Sequence, residues 1–280
     1  MIMALGFAFA ATGVGPACSL PPGWSAVTSS HPHFIIFGEE HGTKESPELV
    51  GSIACALAMR GEHILVAVEL PSRTDPQLQR LWQSPANGFA DRVIADLPGF
   101  SGRDDGVASR AMLEMLEHLH LLRSSGKNID VVAFDRARDD AQVQRWRMLP
   151  GQGAREVEQA ENITTAASAK SYDLVLVLTG NGHARKLLDD RTEVPYEPMA
   201  MRLARSGSLV SLRQTFGTGT EWNCILQHCG MHGKIGPVPA RPMRVGLWSK
   251  PRSDWDAGFD GYFWFPVVNG SPPASIGATQ

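Results

Sequence analysis

The sequence predicts an α/β fold, a mixed and largely parallel central sheet flanked by helices, with antiparallel β additions in the C-terminal quarter. Two observations carry the expectation. Short apolar runs closed by glycine, proline or a charge alternate with segments of helical spacing, the order of a wound sheet rather than of a sandwich or bundle. A phrase is also repeated: Phe34-Ile35-Ile36-Phe37 runs into Gly38-Glu39-Glu40-His41, and Leu174-Val175-Leu176-Val177-Leu178 runs into Thr179-Gly180-Asn181-Gly182-His183. Each is a buried-type strand followed by Gly-x-x-His, and the residues after each histidine can begin a helix. Ligands of parallel sheets collect outside the carboxyl ends of the strands, so both histidines are expected to face one site.

Taken in order, residues 1–14 are apolar but too short to span a bilayer comfortably. They look like the hydrophobic part of a signal peptide without its basic leader, and Ala8-Phe9-Ala10 and Gly15-Pro16-Ala17 offer small-residue cleavage sites. Cys18, directly after Ala17, is a candidate lipid-anchored cysteine. Residues 1–25 therefore read as a signal-like or surface segment, 26–269 as a single α/β domain and 270–280 as a surface tail. The expected location is exported, periplasmic or lipid-anchored, with the cytoplasm left open. No transmembrane helix is expected.

Residues 47–60 place Leu49, Ile53 and Leu57 on one helical stripe that stops at Gly61. Residues 64–71 form a second buried strand ending in Glu69, and 74–82 look helical. Residues 84–103, rich in Gly, Pro and Asp, read as a loop-dominated insertion. A helix over 109–122 (Met112, Met115, Leu116, Leu119) precedes a third strand, 128–134, that ends in Asp135-Arg136. Polar helices over 139–170, interrupted at Pro150-Gly151, lead into the strand before His183. Four short β-like runs come after it, at 209–216, 221–227, 244–248 and 262–267.

Composition excludes little else. The 280 residues are 43% apolar and 20% charged, with a net charge of -3 and pI near 6.3. Nucleic acid, which normally needs a strongly basic face, is not an expected partner; a small molecule is. Cys18, Cys55, Cys224 and Cys229 do not make a disulfide framework in a chain this long. Cys55 reads as a small buried hydrophobe. Cys224, His228, Cys229 and His232 are metal-capable types at no recognisable zinc spacing, leaving a disulfide, plain loop residues or zinc.

Strand-end polar residues supply the chemistry: Glu39, Glu40, His41, Glu69, Asp135, Arg136 and His183. Charges at the mouth of an apolar sheet cost free energy unless solvated, paired or metal-bound, so their recurrence points to a polar site. An imidazole near its unperturbed pKa of about 6.5 can take a proton from water while a carboxylate orients it, which suits hydrolysis with His41 as base and Glu69 or Glu39 as orienter. The same set, His41, Glu69 and His183, can instead hold a divalent metal whose water is the nucleophile. Lys44, Ser109 and Asn181 join Glu40, Asp135 and Arg136 as candidate substrate contacts. Ser109 reads equally as a helix N-cap, and Asp135-Arg136 equally as a pair outside the site. Trp222, Trp248, Trp255 and Trp264 read as core packing or as an apolar pocket lining. No Gly-x-Ser-x-Gly elbow, Walker loop or Gly-x-Gly-x-x-Gly turn is present.

Gly38-Glu39-Glu40-His41-Gly42-Thr43, Glu69, Asp105-Gly106-x-x-Ser109-Arg110 and Gly180-Asn181-Gly182-His183-Ala184 together resemble the superfamily that joins erythromycin esterase-like enzymes, Tiki/TraB metalloproteases and ChaN-like haem-uptake lipoproteins. The resemblance spans roughly residues 33–190. It implies an α/β fold with a cleft at the strand ends. In the esterase branch it implies His41 as water-activating base, Glu69 as its assistant and His183 completing a site without metal. The Tiki branch implies a divalent cation on the same residues. The ChaN-like branch implies haem with a tyrosine iron ligand, for which this chain has Tyr172, Tyr196 and Tyr262; none sits in a matching motif. The chain lacks the extended helical part of typical macrolide esterases. The expected activity is hydrolysis of an ester or related bond of a small molecule without cofactor, with a haem carrier or a metal-dependent hydrolase as alternatives.

Overall fold

The computed structural model of the chain describes residues 18–226, 228–236 and 241–276. The apolar stretch 1–14 and both cleavage-like sites lie outside the described residues, as do the last four residues of the expected tail.

Eight strands form one sheet: β1 (Phe34–Glu39), β2 (Ile64–Pro71), β3 (Ile129–Asp135), β4 (Leu174–Gly180), β5 (Leu209–Ile225), β6 (His228–Ile235), β7 (Arg244–Leu247) and β8 (Gly261–Val268). Their order is β3-β2-β4-β1-β5-β8-β7, with β6 attached to β5. From β3 through to β8 every neighbouring pair is parallel, and only β5–β6 and β7–β8 are antiparallel. The helices are α1 (Trp24–Val27), α2 (Glu45–Met59), α3 (Asp75–Trp82), α4 (Phe89–Asp96), α5 (Pro98–Ser101), α6 (Arg110–Ser124), α7 (Asp140–Trp146), α8 (Gly153–Ala167) and α9 (Met199–Leu203).

Side chains of a strand alternate between faces, so each run of continuous apolar residues feeds two cores. Ile35 and Phe37 of β1 and Val66 and Val68 of β2 join Ile53 of α2 and Leu116 of α6 on one face. Phe34, Ile36, Leu65 and Ala67 join Ala160 and Ile163 of α8 and Leu203 of α9 on the other. Phe34, Phe37, Ile35 and Ile36 are all fully buried, and each such side chain stabilises the fold by about 1.5–3 kcal/mol. This parity places Glu69 and Thr179 on the α8 face, in step with Leu65, Ala67, Val175 and Val177.

Several expectations are corrected. Residues 84–103 are not loop-dominated, since α4 and α5 lie there and bury Phe89, Val93 and Phe100; short amphipathic helices between Gly and Pro stops were masked by those stops. The expected run at 209–216 and residues 221–225 of the next belong to one 17-residue strand, β5, whose Gly217 and Gly219 are accommodated within pairing to β8 and β6. Turns, not a helix, connect His183 to α9. Residues 270–276 are a packed strap, not a surface tail: the Ser271 amide donates to the Gly42 carbonyl (2.7 Å), the Ser271 hydroxyl accepts from the Ala111 amide (2.9 Å), and Ala274 is fully buried. Residues 18–25 are likewise held, with Trp24 buried and the Val245 amide donating to the Pro22 carbonyl (3.0 Å).

The cysteines form two disulfides, Cys18–Cys55 and Cys224–Cys229. Cys55 is buried as expected but bonded, and a Cys18 sulfur bonded to Cys55 is not available as a lipid-anchor thioether. Cys224 and Cys229 face each other across the β5–β6 hairpin, so the disulfide alternative holds for that pair. Among the described residues no helix is long and apolar enough to cross a membrane.

Candidate active site at the strand ends

The two Gly-x-x-His turns converge because β1 and β4 are parallel neighbours, with Gly38 opposite Thr179 and Glu39 opposite Gly180. Strand β2 flanks β4 on its other side, and its pairing with β3 shifts register between Val68 and Pro71. Glu69, within that shift, keeps the α8-facing parity of Leu65 and Ala67. The outcome is a carboxylate set between two imidazoles: Glu69 Oε2 lies 3.5 Å from His41 Nε2, and Glu69 Oε1 lies 3.5 Å from His183 Nε2. Both separations exceed a normal N–H···O bond, so these are ion-pair approaches that leave the Nε2 edges able to take a further partner.

The far side of each ring is pinned by its own acid. His41 Nδ1 is 2.9 Å from Glu39 Oε1, and His183 Nδ1 is 2.7 Å from Glu156 Oε1 on α8. The second oxygen of Glu156 accepts from the Met199 amide at 2.7 Å. Glu69 accepts three further bonds: Oε2 accepts from the Thr179 hydroxyl and the Gly180 amide, both at 2.7 Å, and Oε1 accepts from Arg155 Nη2 at 2.9 Å. Arg155 Nε also donates to Asp135 Oδ1 (2.7 Å), which takes a second bond from Gln159 (2.9 Å). Arg103, bonded to Asp105, reaches the other Asp135 oxygen at 4.0 Å.

Burial alone would keep these groups neutral, and their mutual charges decide otherwise. Glu69 is resisted by burial, but His183, His41 and Arg155 hold its carboxyl well below the usual range. Burial works against a charged His183 ring, yet the Glu69 charge and the hydrogen bond to Glu156 push its pKa up to about 10. His41 is raised on the same balance, burial opposing and Glu69 and Glu39 prevailing. Burial pushes Glu39 up despite its bond to His41. His41 keeps a quarter of its side chain exposed, and His183 rather less.

Two glycines are required by close approach. A Cβ on Gly180 would lie 2.8 Å from His41 Nε2, and Gly42, at φ 75°, passes so close to β5 that a Cβ would lie 1.9 Å from the Trp222 carbonyl oxygen. The second contact sets the β5–β6 hairpin against the His41 turn, fastened by the Trp222 amide donating to the Gly42 carbonyl (3.0 Å) and the Trp222 indole to the Asp104 carbonyl (2.8 Å).

The structure brings together His41, His183, Glu69, Glu39 and Asp135 from the sequence-based set. Asn181 borders the cluster, its amide donating to the Glu39 carbonyl (2.9 Å) and its side-chain oxygen buried without a partner. Glu40 points away to an ion pair with Lys234. Lys44 is half exposed and pairs with Glu48 one helical turn on (3.2 Å). Ser109 is the N-cap of α6, its hydroxyl accepting from the Met112 amide (3.2 Å). Arg136 is exposed and 3.8 Å from Asp135. Trp264 is core and Trp222 wall; Trp248 and Trp255 stack under arginines. Sequence reasoning missed Arg155, Glu156, Thr179, Gln159 and Arg103. The signal for Glu156 was present: it interrupts the apolar stripe Gly153, Ala160, Ile163, Ala167 of α8 with a carboxylate.

Among the described residues, the groups of His, Cys, Asp and Glu whose ligand atoms all lie within 4.8 Å of one another are Cys18, Cys55, His118 and Asp104, Cys224, Cys229, and in both the sulfurs are disulfide-bonded. The phenols are engaged elsewhere: Tyr172 with Asp130 (3.0 Å), Tyr196 with Asp189 (3.3 Å) and Tyr262 against Trp248 (4.7 Å between rings).

No family profile and no curated protein matches the chain. Solved structures do. A succinoglycan biosynthesis protein superposes with a TM-score of 0.60 at 12% identity, over 89% of this chain and 91% of its own. The erythromycin esterase EreC, as a histidine-to-asparagine variant in its open conformation, gives 0.58 at 13% over 87% and 92%. A protein from Bacillus cereus gives 0.59 at 11% over 88% and 91%. At such identities the likeness establishes a common fold.

Proposed function

We propose that the chain is a metal-free hydrolase of the esterase type, acting on an ester or related bond of a small molecule. The observation that supports it is the two imidazoles, each pinned at Nδ1 by its own acid and turned at Nε2 toward one carboxylate. His41, the more exposed ring, takes a proton from water at Nε2 as the water oxygen attacks the carbonyl carbon. Glu39 fixes its orientation through Nδ1. His183, held protonated up to a pKa of about 10, faces the carbonyl oxygen as negative charge develops there. When the C–O bond breaks, the leaving alkoxide recovers the proton from His41, and the base is regenerated. EreC, which shares the fold, is an esterase by name. An exported location goes with this reading, because disulfides persist in oxidising compartments.

The test is turnover of a panel of aryl and alkyl esters by the purified chain. Activity lost in His41→Ala and retained in chelator is the expected result. Loss of activity on chelation would replace the metal-free reading with a metallohydrolase, and a Soret band in the purified protein would favour a haem carrier.

A further inference from the structure

Beside the histidine cluster a cavity of about 530 Å³ opens at the carboxyl ends of β2 and β3, with Arg73, Asp135, Arg136, Arg155 and Glu158 in its lining. Most of these charges are already committed. Asp135 is bonded by Arg155 and Gln159, Arg155 is shared between Asp135 and Glu69, and burial pushes the Glu158 carboxyl up. Arg73 pairs on the rim with the exposed Asp140.

Arg136 is different. Its side chain is 70% exposed, its Nε lies 3.8 Å from Asp135 Oδ2, and its charge also acts on the Glu158 carboxyl without an ion pair between them. Its backbone adopts φ 63°, a left-handed conformation that non-glycine residues seldom take. Two buried donors hold it there: the Ser72 hydroxyl (2.6 Å) and the Asn162 amide (2.8 Å) both bond the Arg136 carbonyl. A strained backbone clamped on both sides delivers a guanidinium fork to the cavity mouth, where planar oxyanions are recognised in bidentate fashion.

We propose that this cavity is an anion subsite, in which Arg136, with Arg73 beside it, receives a carboxylate or phosphate group carried by the substrate. Arg155 joins the subsite to Glu69 and hence to the histidines, so the anion sits at a fixed remove from the bond that is cut. That placement relative to chemistry rests on the hydrolase reading; the binding of the anion does not.

The experiment uses the whole chain with three probes at constant ionic strength: glutarate, inorganic phosphate and the neutral glutaramide. Binding is followed by calorimetry and by the shift in melting temperature. The expected result is that one anion binds, glutaramide does not, and Arg136→Gln weakens binding about tenfold. Arg136→Gly, which accepts the left-handed backbone without strain, does the same while keeping the fold. Glutarate bound in preference to phosphate identifies a carboxylate, and the reverse a phosphate. Equal binding by the native chain and both variants, or no binding of either anion at millimolar concentration, overturns the subsite. A second arm compares the aryl monoester of glutarate with the aryl ester of pentanoate, where the KM ratio between them is expected to collapse in Arg136→Gln. Arg136-dependent anion binding without any ester turnover leaves the subsite standing and removes the hydrolase. Ester turnover with anion binding indifferent to Arg136 does the opposite.

Discussion

Replacing Glu156 with glutamine changes one oxygen for an amide group and tests whether the second histidine is held as a cation. Glu156 is fully buried, with one oxygen 2.7 Å from His183 Nδ1 and the other accepting from the Met199 amide at 2.7 Å. The glutamine can satisfy one of those donors and must turn its own NH₂ toward the other. Removing one partner of a buried ion pair costs about 3–5 kcal/mol. For a chain of this size 1 kcal/mol moves Tm by about 2–4 °C, so Glu156→Gln should lower Tm by roughly 6–20 °C near pH 7. The pH dependence has a definite sign. His183 has a folded pKa of about 10 against 6.5 unfolded, so its contribution is fully present below 6.5 and is lost as pH rises through 10. The difference in Tm between the native chain and the variant should therefore shrink between those limits. Histidine resonances followed by NMR should show one ring titrating near 10 in the native chain and lower in the variant. A native His183 titrating near 6.5, or a variant as stable as the native chain at pH 7, would refute the reasoning.

Three other outcomes are expected from the geometry. Gly180→Ala puts a Cβ where His41 Nε2 now lies within 2.8 Å; displacing the ring should cost on the order of 100-fold in ester turnover with little change in Tm, and a fully active variant would show that the ring position is not critical. Because His41 is raised above 6.5, with the Glu69 charge and the Glu39 hydrogen bond outweighing burial, turnover should climb with pH along a limb whose midpoint lies above 6.5, and a midpoint below it contradicts that electrostatic balance. Removing the Cys18–Cys55 bridge, which spans 37 residues, should cost about 4 kcal/mol on the chain-entropy view, and removing Cys224–Cys229, which spans 5, about 2; paired Cys→Ala variants compared by thermal melts check the order, and a larger loss from the second pair would point to the β5–β6 hairpin as a stability element in its own right.

The features legible in the residues were local. The apolar runs of β1, β2, β3 and β4 and the amphipathic spacing of α2 and α6 are patterns within a dozen residues, and the parallel core built from them matches expectation. The C-terminal quarter was read in pieces because Gly217 and Gly219, which in isolation signal turns, lie inside a strand with β8 on one edge and β6 on the other. Lys44 and Ser109 entered the candidate set by nearness in sequence to a motif or by residue type, and in the structure one pairs with Glu48 and the other caps α6. The strap of residues 270–276 was invisible because its anchors, Gly42, Ala108 and Ala111, are more than 150 residues away.

The histidine pair shows the same division inside one site. The acid that pins His41 lies two residues before it, so the dyad is written into a single strand end. The acid that pins His183 comes from α8, 27 residues upstream, and is visible only as a carboxylate where the helix should be apolar. Both rings are oriented from behind by such a partner, while Glu69, which accepts from Thr179, Gly180 and Arg155, stays 3.5 Å from each Nε2. A carboxylate kept 3.5 Å from two nitrogens supplies charge without occupying them. That leaves His41 free to take a proton once its own is lost and keeps His183 a cation well past neutrality, the division of labour that the proposed ester hydrolysis requires.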